Sequence, residues 1–258
     1  MLLSICIPTY NRLKYLQELL AMLLPQVEIL PDGIVEVIVS DNKSTDGTTD
    51  FCKTLRAAFL RTWTNSENIG AERNYFRCIN EAQGEYIWLL GDDDILPARA
   101  VERVVSFLQS HHPKLLISAD IDGVDGAIYE DYSAVLSKMT DDFVLAHTLI
   151  SANVFRRDSF DMAFAESKLW TQYVHLFGFM QGLPGGHIGI LPRFIKVRPI
   201  RPNFAKFPSC LCVKQAVYLC YLAHKFGQPR LYWKAFLNAC NLPIEYLSRI
   251  KNWLFKKT

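Results

Sequence analysis

Short apolar runs alternate with helical patterns through the first half of the chain. The apolar and β-branched runs that predict buried strands cover residues 2–7, 35–39, 62–64, 86–90 and 115–118. Apolar side chains at helical spacing predict helices between these strands, over residues 13–24, 48–59, 71–82 and 97–108. This order predicts an α/β fold with a mostly parallel sheet flanked by helices. Pro25 and the turn at 31–33 are expected to end the first helical unit.

The pattern weakens after Ala119. We expect a loop over 120–131, a helix over 141–147, a strand over 149–155 and a glycine-rich loop over 182–189. From Cys210 onward the pattern is helical, with breaks at prolines. These changes predict a division at residues 118 and 205, with the last part, 206–258, as a helical extension.

Polar segments follow the first, second and fourth predicted strands. They are Pro8-Thr9-Tyr10-Asn11-Arg12, the stretch 40–48 that contains Asp41, and Gly91 with its three following acids; Asn68 and Gly70 open the helix after the third strand. Ligands of open α/β sheets bind outside the carboxyl ends of the strands. The sequence therefore predicts a ligand site at this edge.

An apolar run over 86–90 ends abruptly at Gly91 and continues as Asp92, Asp93 and Asp94. Adjacent carboxylates repel, and a hard cation such as Mg²⁺ or Mn²⁺ relieves that repulsion. Such cations take one or two carboxylates together with substrate phosphates. The stretch predicts a metal–diphosphate site, and the alternative is a solvated turn whose acids favour a helix start.

Charge is distributed unevenly along the 258 residues. The net charge is only +2, yet residues 193–258 hold 13 of the 28 Lys and Arg and one of the 26 acids. This asymmetry indicates an anionic partner for the C-terminal end, with a solvated basic face as the alternative. Seven irregularly spaced cysteines are typical of a reduced, cytoplasmic protein. No transmembrane helix or signal peptide is predicted.

The polar segments resemble, in order and spacing, the motifs of family 2 glycosyltransferases with the GT-A (Rossmann-like) fold, over residues 1–110. The motif sequences are similar to those of bacterial enzymes that build O-antigen or capsule, including the abequosyltransferase-like group. The resemblance implies an inverting, metal-dependent transfer of a sugar from a nucleotide-sugar donor to a glycan hydroxyl. It also implies a donor-binding half at 1–118 and an acceptor-binding half at 119–205.

The resemblance assigns roles to individual residues. It implies that the metal, Mn²⁺ or Mg²⁺, is held by Asp93, with Asp92 and Asp94 beside it. Gly91 stands where many relatives have an acid, which leaves open which carboxylate binds the metal. The nucleotide sugar is expected to contact Pro8, Thr9, Tyr10, Asn11, Arg12, Asp41, Asn68, Gly70, Arg73 and Asp92. The alternatives are a turn acid for Asp41 and a surface arginine for Arg73.

Transfer requires a general base for the acceptor hydroxyl. The candidates are His175, Glu166 and Asp161, and Asp158 lies at a similar distance along the chain from the acidic motif. His175 lies in a tryptophan- and histidine-containing segment similar to that of the abequosyltransferase-like group, and its alternative is a structural histidine. His187 is a further candidate near the diphosphate, or a plain loop histidine.

The basic C-terminal end offers two further expectations. Arg193, Lys196, Arg198 and Arg201 are candidates for contacting the diphosphate. Aromatic and basic residues interleave over 233–257, a pattern that suits an anionic membrane surface and a lipid-diphosphate-linked acceptor. A cytoplasmic protein, peripheral on the inner face of the membrane, is therefore expected.

Two other functions fit parts of the sequence. One is a non-catalytic module that binds nucleotides or nucleic acid, supported by the basic end alone. No nucleic-acid partner is expected, because no RNA-binding aromatic motif or zinc spacing occurs. The other is a nucleotidyltransferase, which uses similar metal chemistry.

Overall fold

A computed structural model describes residues 1–120, 125–138, 149–169, 173–196, 221–222 and 224–227. The predicted helix over 141–147, Arg198, Arg201 and the aromatic–basic segment over 233–257 lie outside these residues. None of the helices in the described ranges has the length and apolar content needed to cross a bilayer.

One sheet of eight strands organises the described residues, with the order β3-β2-β1-β4-β7-β5-β8-β6. The strands are β1 Leu3–Thr9, β2 Val35–Asp41, β3 Leu60–Thr64, β4 Tyr86–Leu89, β5 Leu115–Ile117, β6 Ala127–Tyr129, β7 Asn153–Arg156 and β8 Ile188–Ile190. The helices are α1 Leu13–Glu28, α2 Thr48–Thr54, α3 Ala71–Glu81, α4 Ala100–His111, α5 Tyr132–Lys138, α6 Met162–Glu166 and α7 Val174–Met180. This arrangement confirms the predicted α/β class.

The first four strands form the parallel half of the sheet, as predicted. Strand β1 pairs in parallel with β2 on one side and β4 on the other, and β3 pairs in parallel with β2. The fifth strand departs from the simple β-α-β series, because β7 lies antiparallel between β4 and β5. Val154 of β7 faces Trp88 on one side and Leu116 on the other, so the chain returns to fill this position.

Several predicted boundaries were wrong for local reasons. Helix α1 continues through Pro25 to Glu28, because Leu23 and Val27 on either side of the proline pack into the core. Helix α2 ends at Thr54, and the backbone of Leu55 is already extended. Strand β6 lies inside the segment expected to be a loop, where it covers the edge of β8.

Apolar side chains fill both faces of the sheet. Leu16, Leu19 and Leu23 of α1 and Val101 and Val104 of α4 belong to the core on one face. The other face is covered by α3 and α7, and its core includes Phe76, Phe177 and Phe179. Because helices cover both faces of the sheet, the rim where the parallel strands end remains available to a polar ligand.

Candidate active site

The loops that follow β1, β2 and β4 meet at one edge of the sheet. Thr9 and Asp41, the last residues of β1 and β2, are paired in register, and Cys6 of β1 pairs with Leu89 at the end of β4. The segment Gly91–Asp94 therefore emerges beside the loop that follows β1. The buried Thr9 Oγ1 donates a 2.7 Å hydrogen bond to Asp92 Oδ2 and joins the two loops.

Arg12 adds a cation to this meeting point. Its Nη1 lies 3.2 Å from Asp92 Oδ1 and also donates to Asp93 Oδ2, so one guanidinium bridges two neighbouring carboxylates. Asn11 turns the chain towards the acids with a φ of 52°. We call Thr9, Arg12, Asp92 and Asp93 the acidic corner.

Burial dominates the electrostatics of the acids. It raises the pKa of Asp92 from 3.8 to about 7, although Arg12 and the hydrogen bond from Thr9 oppose that rise. Burial also raises the pKa of Asp94 to about 6, against the effect of a hydrogen bond with Ser151. When the acids are ionised, Arg12 alone does not balance their negative charge, so a bound cation would stabilise the acidic corner.

The three acids differ in how open they are. Asp94 is 3% exposed, and its Oδ2 accepts a 3.0 Å hydrogen bond from the Gly91 N–H, which holds the turn. A Cβ at Gly91 would lie only 2.7 Å from that oxygen, so a larger residue here would require the Asp94 carboxylate to shift. The Asp93 side chain is 26% exposed, against 8% for Asp92. Asp93 is thus the carboxylate most open to an incoming ligand.

The donor chemistry of the corner fits Mg²⁺ or Mn²⁺, which accept carboxylate oxygens and complete their shells with phosphate and water. Within the described residues, no three His, Cys, Asp or Glu side chains form a ready-made cage. A cation here would need oxygen ligands from a substrate as well as from Asp93 and Asp92. Asp94, turned into its own loop, is placed to orient the segment.

Asp41 lies fully buried at the end of β2. Its Oδ1 accepts a 3.2 Å hydrogen bond from the Ser44 N–H, and its Oδ2 accepts one of 2.5 Å from the Thr49 hydroxyl. These contacts hold the loop that lies opposite Asn11. Tyr10, which directly follows β1, is 42% exposed.

An asparagine network, which the motif reading missed, ties the loop after β2 to the start of α3. The buried Asn42 accepts hydrogen bonds of 3.0 Å from Asn65 Nδ2 and from the Ile69 N–H. Its own amide donates to Asn68 Oδ1 at 2.8 Å and to the Gly70 carbonyl at 3.2 Å. The predicted ligand residues Asn68 and Gly70 are thus positioned by Asn42. The signal in the sequence was asparagine placed directly after a strand.

Arg73 lies on α3 in a groove of about 470 Å³ between α3 and α6. Glu166 lines the same groove, so the structure brings this candidate base near Arg73. Tyr75, on the same helix, was also missed from sequence. Burial, and to a lesser degree the charges of Glu72 and Asp92, raise the pKa of its phenol.

The remaining candidate bases have other surroundings. Asp161 caps α6 by accepting a 2.9 Å hydrogen bond from the Phe164 N–H. Asp158 pairs with Arg156 at 2.6 Å. His175 is buried in the first turn of α7, with 4% of its surface exposed. His187 lines a different cavity, with Phe107 and His111, on the side of α4.

The segment 193–196 returns to the acidic loop. Lys196 forms an antiparallel bridge with Ile95, through backbone hydrogen bonds of 2.9 and 3.0 Å. Because Ile95 directly follows Asp94, the bridge brings the backbone of Lys196 close to the acidic loop. Arg193 instead pairs with Asp120 at 3.2 Å.

Known proteins similar to this chain include glycosyltransferases. Residues 4–160 match the family model described as glycosyl transferase family 2. Abequosyltransferase RfbV of Salmonella typhimurium is 38% identical over 113 residues, covering 43% of this chain and 33% of that enzyme. Poly(ribitol-phosphate) beta-N-acetylglucosaminyltransferase TarS of Staphylococcus aureus is 32% identical over 127 residues, covering 48% of this chain and 21% of that enzyme. The matches thus span a third or less of these two relatives.

Solved structures share the fold. The S. aureus TarS fragment 1–349 in complex with UDP-GlcNAc superposes with a TM-score of 0.65 at 17% identity, covering 98% of this chain and 79% of that one. A mannosyltransferase from Pyrobaculum calidifontis, in complex with GDP-Man and Mn²⁺, gives a TM-score of 0.57 at 17% identity, covering 99% and 76%.

Proposed function

This chain belongs to glycosyl transferase family 2, and from that premise we propose that it transfers a sugar from a nucleotide-sugar donor to a hydroxyl group of a glycan acceptor. The observation that carries the proposal is the acidic corner, where Thr9 and Arg12 from one strand-end loop meet Asp92 and Asp93 from another. Undercompensated carboxylates at this edge are suited to a cation with a diphosphate.

The donor would lie across the loops that follow β1, β2 and β3. The exposed ring of Tyr10 offers a stacking surface for the base, and the Asn42 network fixes Asn68 and Gly70 opposite it. Arg73 would approach the diphosphate from the first turn of α3. Asp41, held in its turn by Thr49, is proposed to support the base-binding wall.

The metal would be Mg²⁺ or Mn²⁺, held by Asp93 with Asp92 beside it. When bound, such a cation offsets the negative charge that grows on the leaving nucleoside diphosphate. Asp94 and Gly91 keep the two acids in place, because the Gly91 N–H holds the Asp94 carboxylate. The family pattern supports inversion by single displacement, in which the acceptor oxygen forms the new bond as the phosphate oxygen leaves.

The base is proposed among three residues. Glu166 is exposed and lines the groove that Arg73 also lines, and an acceptor in this groove is proposed to present its hydroxyl to Glu166. Asp161 and His175 remain candidates, although the first caps a helix and the second is buried. A base must reach the acceptor hydroxyl within hydrogen-bond distance, and Glu166 is favoured because it is exposed and does not cap a helix as Asp161 does.

The acceptor is proposed to be a surface polysaccharide precursor, in keeping with the polymer named for TarS and the abequosyl transfer named for RfbV. We propose that residues 1–118 bind the donor and 119–205 the acceptor. The basic segment 206–258 would hold the protein at the cytoplasmic face of the membrane, near a lipid-diphosphate-linked glycan.

Donor hydrolysis tests the proposal directly. The protein is incubated with UDP-, GDP-, CDP- and dTDP-sugars, with Mn²⁺, with Mg²⁺ or with EDTA, and release of the nucleoside diphosphate is measured. We expect release from one nucleotide class, dependent on the metal and lost in Asp93→Asn. Release of pyrophosphate from a nucleoside triphosphate, or salt-sensitive RNA binding without any nucleotide effect, would overturn the assignment.

A further inference from the structure

We propose that Arg12 is a built-in counter-ion that couples metal binding to diphosphate binding, so that the free protein holds a divalent cation weakly and the donor–metal pair tightly. This inference rests on the proposed function. It concerns what the free site does before the donor arrives.

The first observation is that Arg12 pairs with both carboxylates that are proposed to bind the cation. One nitrogen, Nη1, bridges Asp92 Oδ1 at 3.2 Å and Asp93 Oδ2. These are the two carboxylates best placed to receive a metal ion. A metal entering the free site must therefore compete with a guanidinium that makes charge-assisted hydrogen bonds to both.

The second observation is the balance of charge. When both carboxylates are ionised, they and the one guanidinium carry a net single negative charge. A divalent ion added beside Arg12 would put two cations within a few ångströms of each other, partly shielded from water, where their repulsion is strong. A diphosphate removes this conflict, because its oxygens can accept from Arg12 and bind the metal at the same time.

The third observation is that the side chain can leave while its backbone stays. The Asn11 N–H donates to Ser44 Oγ at 2.8 Å, and Asn11 Oδ1 accepts from the Thr45 N–H at 2.7 Å. The Leu13 N–H donates to Asp46 Oδ2 at 3.0 Å. Both neighbours of Arg12 are thus tied to the loop after β2.

The Arg12 side chain itself is 43% exposed, against 8% for Asp92 and 26% for Asp93. In the described part of the chain its only ion pairs are those with the two acids. An exposed guanidinium changes partner by rotamer, without unfolding the loop that carries it. It would turn from the carboxylates to the phosphate as the metal takes its place.

The test measures binding of Mn²⁺, from the electron paramagnetic resonance signal of the free ion, without nucleotide and with UDP, GDP, CDP or dTDP. The Mn²⁺ bound by nucleotide alone is subtracted. In the native protein we expect the matching nucleotide to tighten Mn²⁺ binding by about tenfold or more. In Arg12→Gln, Mn²⁺ alone should bind about fivefold or more tightly than in the native protein, and the nucleotide effect should shrink.

Two matched variants sharpen the result. Arg12→Lys keeps a cation at the same place and should restore the weak binding of Mn²⁺ alone. Lys14→Gln removes one positive charge two residues away, where no described ion pair to the acids exists, and should leave both affinities unchanged. Arg12→Met repeats the charge removal with a different side chain, and thermal unfolding confirms that each variant is folded.

The outcomes separate the two proposals. If the native protein and Arg12→Gln bind Mn²⁺ equally well, or if Arg12→Lys behaves like Arg12→Gln, the role of Arg12 is wrong while the metal site stands. If neither protein binds Mn²⁺ with or without a nucleotide, the metal assignment of the proposed function is wrong, and the inference about Arg12 with it.

Discussion

Two loops at the same edge of the sheet carry carboxylates, and their hydrogen bonding differs. In the loop after β2, Asp41 accepts from the Ser44 N–H and the Thr49 hydroxyl. Asp46 accepts from the Leu13 N–H and from both the N–H and hydroxyl of Thr48. Each oxygen of these two acids therefore has a donor within the protein itself.

The acidic corner is arranged differently. Asp92 has only the Thr9 hydroxyl and the exposed Arg12 to offset its burial, and its pKa rises to about 7. For Asp46 burial also raises the pKa, yet the hydrogen bonds from Thr48 and Leu13 outweigh it, so the pKa falls below 3.8. Both oxygens of Asp92 also have donors, but burial outweighs them, so the ionised carboxylate is disfavoured in the free protein and would be stabilised by a bound cation.

The largest expected effect comes from removing one acid from each loop. Asp93→Asn should lower metal-dependent donor turnover by about 10²–10³-fold, because a cation worth several kcal/mol to the leaving group loses its most open ligand. Asp46→Asn should change turnover less than about threefold, since its oxygens serve the backbone. Steady-state hydrolysis with saturating Mn²⁺ measures both. Equal losses in the two variants would contradict the distinction between the loops.

The contrast between these loops shows where sequence suffices. The positions of the parallel strands and the convergence of their loops follow from local patterns, because apolar runs and right-handed crossovers fix which ends meet. Asp92 and Asp93 were predictable on that basis. The insertion of β7 between β4 and β5 was not, because the pairing of Val154 with Trp88 joins residues far apart in the chain.

Hydrogen-bond partners were harder to predict than positions. Asn42 and Asn65 bond across 23 residues, and Arg12 reaches Asp92 across 80. Which donor serves which acid depends on how the loops lie after the sheet has formed. Helix α1 passing through Pro25 has a similar origin, since burial of Val27 outweighs the local preference of proline.

The second prediction is that Asp92 and Asp46 make the stability of the protein depend on pH in opposite directions. The folded pKa of Asp92 is about 7 against 3.8 for the unfolded chain, so the folded state binds the proton more tightly. Stability is therefore highest at acidic pH and falls as the pH rises through 7. Without metal, Asp92→Asn should be more stable than the native protein at pH 8, by up to about 4 kcal/mol, with the gain vanishing near pH 4.

Urea unfolding in EDTA at pH 5 and pH 8 measures this effect. Asp46→Asn is the control of opposite sign, because the lowered pKa of Asp46 contributes stability that is present above pH 4 and lost as the pH falls further. It should be slightly less stable than the native protein at pH 8. If Asp92→Asn were destabilised at pH 8, Asp92 would be a structural acid like those of the other loop.

The third prediction concerns the asparagine network that joins the loop after β2 to the start of α3. Asn42→Ala removes the acceptor of the Ile69 N–H and one of the two acceptors of the Asn65 amide, which should cost about 1–3 kcal/mol of unfolding free energy. The control Asn68→Ala removes an exposed partner and should cost less than about 1 kcal/mol. Urea unfolding compares them, and equal costs would show that Asn42 is not the centre of the network.

The smallest expected effect tests which hydrogen bond of Thr45 holds the loop that carries Arg12. Thr45 donates its backbone N–H to Asn11 Oδ1 at 2.7 Å, whereas its hydroxyl lies 3.4 Å from the same oxygen. Thr45→Val keeps the short bond and should change stability by less than about 0.5 kcal/mol, because the long contact is weak and exposed. Asn11→Ala removes the acceptor itself and should destabilise more. If the valine variant lost as much as the alanine variant, the hydroxyl would be the anchor, and the backbone beside Arg12 would be less firmly held than the hydrogen bonds indicate.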